Sequence, residues 1–154
     1  MKRLLLISIT ITFISFLSVF FPTGARANLL PQMLTVQNSS FDIIGYINTD
    51  GSVMDYNFNL VGFIRAEGRI EGQNGFSIGY FDGHRFTDSN MYNVAYFDGG
   101  RIENSNFYPV AHVGFGTIEG QDYSIIGYFM GDTGGQDWVI AAFCIYYTDL
   151  FRNN

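Results

Sequence analysis

The sequence predicts an all-β fold, a radial array of about six β-hairpins, and three observations carry that expectation. A four-residue phrase recurs as Ile44-Gly45-Tyr46-Ile47, Val61-Gly62-Phe63-Ile64, Ile78-Gly79-Tyr80-Phe81, Val94-Ala95-Tyr96-Phe97, Val110-Ala111-His112-Val113 and Ile126-Gly127-Tyr128-Phe129, at intervals of 17, 17, 16, 16 and 16 residues. Eight residues before each phrase stands an apolar side chain: Val36, Val53, Ile70, Phe86, Ile102 and Ile118. Four residues before it stands a short polar one: Ser40, Asn57, Asn74, Asn90, Asn106 and Asp122. A fixed period means one supersecondary unit copied in series, and units that cannot bury an apolar face alone must stack or close on each other.

Each unit reads as strand, turn, strand. Asn and Asp tolerate left-handed backbone and close local hydrogen bonds, so the polar position marks the tip of a tight hairpin, with Asn74-Gly75 the strongest such signal. A second turn signal, Asp50-Gly51, Glu67-Gly68, Asp82-Gly83 or Asp98-Gly99, follows the phrase and starts the next copy. The hairpins fall at about 34–51, 52–68, 69–84, 85–100, 101–116 and 117–132, rich in Ile, Val, Tyr and Phe at period 2. The six are expected to form one closed or nearly closed array.

With the turn at the polar position, Ile70 lies opposite Gly79, Phe86 opposite Ala95 and Ile102 opposite Ala111. Large opposite small fills a closely approached interior, which explains why the second phrase position never exceeds Ala. The alternate face holds the aromatic at the third position, with Arg69, Arg85 or Arg101 across from it. Arg69 over Tyr80 and Arg85 over Tyr96 are expected cation–π pairs of about 0.5–1 kcal/mol. Glu71, Glu103 and Glu119 share that face and read as solvated charge that keeps strand edges soluble.

The flanks differ from the repeats. Lys2-Arg3, an apolar run from Leu4 to Phe21, and Ala25-Arg26-Ala27 make residues 1–27 a signal peptide, with an uncleaved membrane anchor as the alternative. Residues 28–33 are a short N-terminal extension, 34–132 the hairpin repeat domain and 133–154 a hydrophobic tail. In the tail, Asp137 to Tyr147 is almost continuously apolar. A helix capped by Asp137, with Val139, Phe143 and Tyr147 on one stripe, and a closing strand both suit it. Either would cover an open face of the array; a membrane-surface or secretion-related role and a partner interface are its alternatives.

Cleavage after Ala27 leaves 127 residues with five arginines, no lysine and all 14 acids, a net charge of −9. Such a chain is a poor partner for phosphate backbones or anionic lipid, which sets nucleic-acid binding aside. Cys144 is the only cysteine, so no intrachain disulfide forms.

Read with its neighbouring copies, the stretch Asp98-Gly99-Gly100-Arg101-Ile102-Glu103-Asn104-Ser105-Asn106-Phe107-Tyr108-Pro109-Val110-Ala111, followed by Trp138-Val139-Ile140-Ala141-Ala142-Phe143, resembles the β-flower proteins. These are small exported bacterial proteins built of radially arranged hairpins and named four-fold or five-fold by hairpin number. The resemblance spans about residues 34–151 and implies export and a hairpin array, with no established biochemical activity. This chain departs in counting six units where five are expected, and in aromatics at the third phrase position where the family often has Arg.

No residue cluster points to catalysis. His84 sits in a turn and His112 replaces the aromatic of its copy. Ser and Asp residues fall at turns where local hydrogen bonding accounts for them. Neither an activated nucleophile nor a phosphate loop or metal-ligand spacing occurs in motif context, so the expectation is no enzyme, no cofactor and no metal. Two function classes remain: a structural or interaction module of the cell envelope or secreted space, and a ligand-binding module. In the second, Tyr46, Phe63, Tyr80, Tyr96, His112 and Tyr128 form a ring that stacks on glycans or other flat apolar faces, and exposure of those rings discriminates the two. The expected location is periplasmic, cell-surface or secreted.

Overall fold

The computed structural model describes residues 29–151, so the signal peptide expected at 1–27 lies outside the described residues. Twelve antiparallel strands follow in chain order: β1 (Leu34–Asn38), β2 (Ile43–Ile47), β3 (Ser52–Asp55), β4 (Leu60–Ile64), β5 (Arg69–Gly72), β6 (Ser77–Phe81), β7 (Arg85–Asp88), β8 (Asn93–Asp98), β9 (Arg101–Asn104), β10 (Pro109–Gly114), β11 (Thr117–Gly120) and β12 (Ile125–Met130). Each pairs with the next, and β1 pairs with β12, so the meander closes into a barrel without a free edge. The six hairpins of the repeat are its petals.

The expected facing is the register observed. Val36 pairs with Gly45, Val53 with Gly62, Ile70 with Gly79, Phe86 with Ala95, Ile102 with Ala111 and Ile118 with Gly127. All six large partners are completely buried and form the inner wall, together with Ile47, Ile64 and Val113 from the fourth phrase position. A bulge interrupts the register inside every petal, as between Ile70 and Glu71, whereas the pairs that join petals run without one. Bulges sharpen local bend and twist, and one per petal supplies the curvature that closure of such short strands needs.

The tail is a helix, α1 (Trp138–Tyr146), and it occupies the interior of the barrel; the expected cover over one face is an insert. Six consecutive residues from Val139 to Cys144 are buried, a pattern of all-round burial that one stripe cannot produce. Gly45, Gly62 and Gly79 face Phe143, Tyr147 and Tyr146, and a methyl group at any of the three would collide with the facing ring. The small phrase position therefore makes room for the helix as well as for the apolar residue across the strand pair. Asp137 does not cap α1 with its side chain as expected; its Oδ1 accepts from the Thr133 hydroxyl at 2.6 Å.

The helix is tied to the wall by its last aromatics. The Tyr146 hydroxyl donates to the Thr87 carbonyl at 2.7 Å, and the Tyr147 hydroxyl donates to the Glu71 carbonyl at 2.7 Å while lying 3.0 Å from that of Phe63. Burial raises both phenols above their ordinary range, so they stay protonated donors at neutral pH. At the other end Trp138 stacks on Phe81 at 4.9 Å, and the buried Leu29 and Leu30 of the N-terminal segment close the core beneath it.

Candidate docking surface

Turns between strands alternate between two rims. The upper rim carries the tips at 38–42, 55–59, 72–76, 88–92, 104–108 and 120–124; the lower rim carries the connections between petals, the start of α1 and the N-terminal segment. In four upper tips the residue that opens the turn, Asn38, Asp55, Asp88 or Asn104, accepts through Oδ1 from the N–H groups two and four residues on. In the two tips opened by Gly72 and Gly120, the acceptor is instead Asn74 for the N–H of Phe76 and Asp122 for that of Ser124.

The left-handed residue of each tip is not the Asn expected there but the one after it: Phe41, Phe58, Gly75, Met91, Phe107 and Tyr123, with φ between 62° and 78°. A turn closing N–H to C=O over three residues, such as Phe58 to Asp55 at 3.0 Å, puts the positive φ one place later. Aromatic residues are rarely found in that conformation. A geometric pattern explains their use here. Phe58 stacks on Tyr46 of the preceding petal at 4.6 Å, Phe107 on Tyr96 at 4.3 Å, and Phe41 on Tyr128 at 4.6 Å across the seam that closes the barrel. The petal whose tip has Gly75 lacks such a ring, and Phe63 of the preceding petal is covered instead by the guanidinium of Arg65 from the lower end of its own petal, 4.1 Å from its centroid.

The outer belt of Tyr46, Phe63, Tyr80, Tyr96, His112 and Tyr128 is thus on the outside wall, away from the tail. Tyr46 is 8% exposed and the other five are half-buried. The cation–π pairs expected at Arg69 and Arg85 are replaced by ion pairs: Arg69 with Glu67 and Glu71, and Arg85 with Asp82 at 2.7 Å. Glu71 departs furthest from the solvated role expected of it. It is 2% exposed, between Arg65 at 2.7 Å and Arg69 at 2.9 Å, because the two arginines satisfy its charge. Glu103 is half-buried and, among the described residues, pairs with Arg101 alone.

A family model of five-fold β-flower proteins matches residues 33–147. The chain belongs to that family. No curated protein and no solved structure matches it. This β-flower protein closes six petals, although the family is described as five-fold.

The β-flower barrel bears exposed aromatics on its upper tips, while on the lower rim Phe115 stands fully exposed by itself between β10 and β11. Phe76, Tyr92 and Tyr108, at one equivalent position on three consecutive tips, are 74%, 73% and 66% exposed, and the left-handed Met91 and Phe107 between them are similarly bare. Equivalent positions on the other tips are Asp42, Asn59 and Ser124, so aromatics at this position fall on one half of the rim, while Phe41, Tyr56, Phe58 and Tyr123 are the exposed rings of the other half. Strand periodicity does not reveal this run; its signal in the sequence is the aromatic two residues after the turn Asn in three consecutive copies, at Asn74, Asn90 and Asn106. An open cavity of about 500 Å³ lies elsewhere on this rim, between Asn38, Ile44, Ile126 and Tyr147. His84 lies on the lower rim. No group of three or more potential metal ligands occurs among the described residues, and none of their helices is long and apolar enough to cross a membrane.

Proposed function

We propose that this β-flower protein is an exported, non-catalytic interaction module of the cell envelope or secreted space, in which a rigid barrel presents its upper rim to a partner. The observation that carries the reading is the run of bare aromatics at Phe76, Tyr92 and Tyr108. Contiguous exposed apolar surface on a soluble fold marks interaction sites. The chemistry of the other groups favours binding over catalysis: burial pushes the Cys144 thiol well above its ordinary range, and turn carboxylates are engaged with backbone N–H groups. Cleavage after Ala27 is compatible with the fold, since the buried Leu29 and Leu30 remain in the mature chain. Fractionating cells and sequencing the mature N-terminus tests the export half of the reading; a cytoplasmic chain retaining Met1 overturns it. Substituting Phe76, Tyr92 and Tyr108 with Ser tests the rim, and a partner retained by the folded triple variant overturns that half.

A second reading uses the outer belt as a glycan-stacking ring, with Tyr46, Phe63, Tyr80, Tyr96, His112 and Tyr128 as its members. It is favoured by their position on the outside wall, where five remain half-exposed. Binding on a glycan array that survives Tyr80→Ala and Tyr96→Ala ends it.

A further inference from the structure

The charges of the barrel are segregated in a way that specifies what the upper rim accepts. Every arginine among the described residues, Arg65, Arg69, Arg85 and Arg101, lies at a lower-rim turn or at the start of a strand leaving it. The upper tips carry Asp42, Asp55, Asp88 and Asp122 and no basic residue. Phe76, Tyr92 and Tyr108 therefore form an apolar patch framed by carboxylates alone. Their petals are two strands apart, roughly 9–10 Å, which is the spacing of side chains a few residues apart in an extended peptide.

We propose that this half of the upper rim docks a Lys/Arg-rich segment of another protein, a reading that rests on the rim being the docking surface. Aromatic faces attract ammonium and guanidinium groups through the ring quadrupole, and adjacent carboxylates add Coulomb attraction and speed encounter. The chain contains its own precedent: beneath the Gly75 tip, which lacks a ring, the Arg65 guanidinium from the lower end of β4 lies 4.1 Å above Phe63. An acidic partner or an anionic surface is repelled by the same rim.

The sister petals supply variants that leave the fold intact. Asp55→Asn with Asp88→Asn removes two charges while keeping the Oδ1 acceptor, as Asn38 and Asn104 do in their own turns. Phe76→Ser, Tyr92→Ser and Tyr108→Ser place at those positions the residue that Ser124 already provides. The exported chain is titrated with fluorescent hexa-arginine, hexa-glutamate and a neutral cello-oligosaccharide, with thermal melting recorded for each variant. Hexa-arginine is expected to bind alone, to weaken about tenfold on going from low to physiological salt, as screening of exposed charge requires, and to weaken several-fold more in each variant set while each variant still melts cooperatively, the Asp55 variant somewhat lower for the lost Asn59 bond. Absence of hexa-arginine binding, or binding indifferent to both variant sets, overturns the proposal. If the oligosaccharide binds and is lost with the serine variants, the basic partner is overturned while the rim stands as the docking surface.

Discussion

Phe58 holds its backbone at φ 64° while its ring lies on Tyr46 at 4.6 Å. The conformation costs about 1–3 kcal/mol for a bulky residue, and an aromatic stack returns about 0.5–1.5 kcal/mol beyond area burial. The two nearly offset each other, so Phe58→Gly is expected to leave the melting temperature within a few degrees, whereas Phe58→Ala loses the stack, keeps the strain and melts lower. An alanine variant as stable as the glycine one would remove strain from the account. Gly79 tests the opposite problem. Valine there meets the Tyr146 ring, which its hydroxyl bond to Thr87 holds in place, so overpacking by about 1–3 kcal/mol or more is expected. Gly127→Val meets the Gln37 carbonyl of the adjoining strand, 2.6 Å from the added carbon, where a backbone has no alternative rotamer. An unchanged thermal midpoint in either variant would contradict the inward facing of the phrase glycines.

At the scale of elements, α1 is a short helix whose stability comes from its surroundings. Nine residues are too few to hold a helix in water, and no side chain caps its start. Inside the barrel it fills space that a ring of twelve short strands cannot fill from its walls, since four of the six petals bring glycine to the middle of the inner face. Deleting residues 137–154 is therefore expected to expose Ile70, Phe86 and their equivalents to water and to lower stability or solubility. A truncated chain with an unaltered melting curve would transfer the tail to a partner role. The petals themselves need no such support locally: every upper tip is closed by its own Asx or Gly turn, which explains how one period is copied with so little change.

Across the whole molecule, acid is expected to loosen both rims together. Hydrogen bonds from the Asn59 side chain and N–H lower the Asp55 carboxyl below its ordinary 3.8, the Ser124 hydroxyl and N–H do so for Asp122, and the Ser52 N–H and hydroxyl for Asp50. A carboxyl depressed in the folded state contributes stability that is complete above its unfolded value and is lost as pH falls through the folded one. Melting temperature should then be flat from neutral pH to about 5 and drop below about 4. Asp50→Asn, Asp55→Asn and Asp122→Asn combined should flatten that drop. A triple variant with the acid sensitivity of the parent would assign the drop to other groups.

The period of 16–17 residues, the apolar residue eight before each phrase and the ceiling of Ala at its second position were enough to determine petals, turns, inner wall and strand register, because each is a local relation between residues within one hairpin. The aromatic belt was legible for the same reason: side chains alternate along a strand. Closure was decided only in three dimensions, since the pairing of β1 with β12 joins residues nearly a hundred positions apart and depends on curvature accumulated over six bulges. The place of the tail was decided there too. An apolar run states that it must be buried, and only the width of the closed ring and the glycines at 45, 62 and 79 decide that it is buried inside. The bare half-rim at Phe76, Tyr92 and Tyr108 belongs to the same class: three aromatics in three different turns become one surface only when the barrel sets their petals side by side.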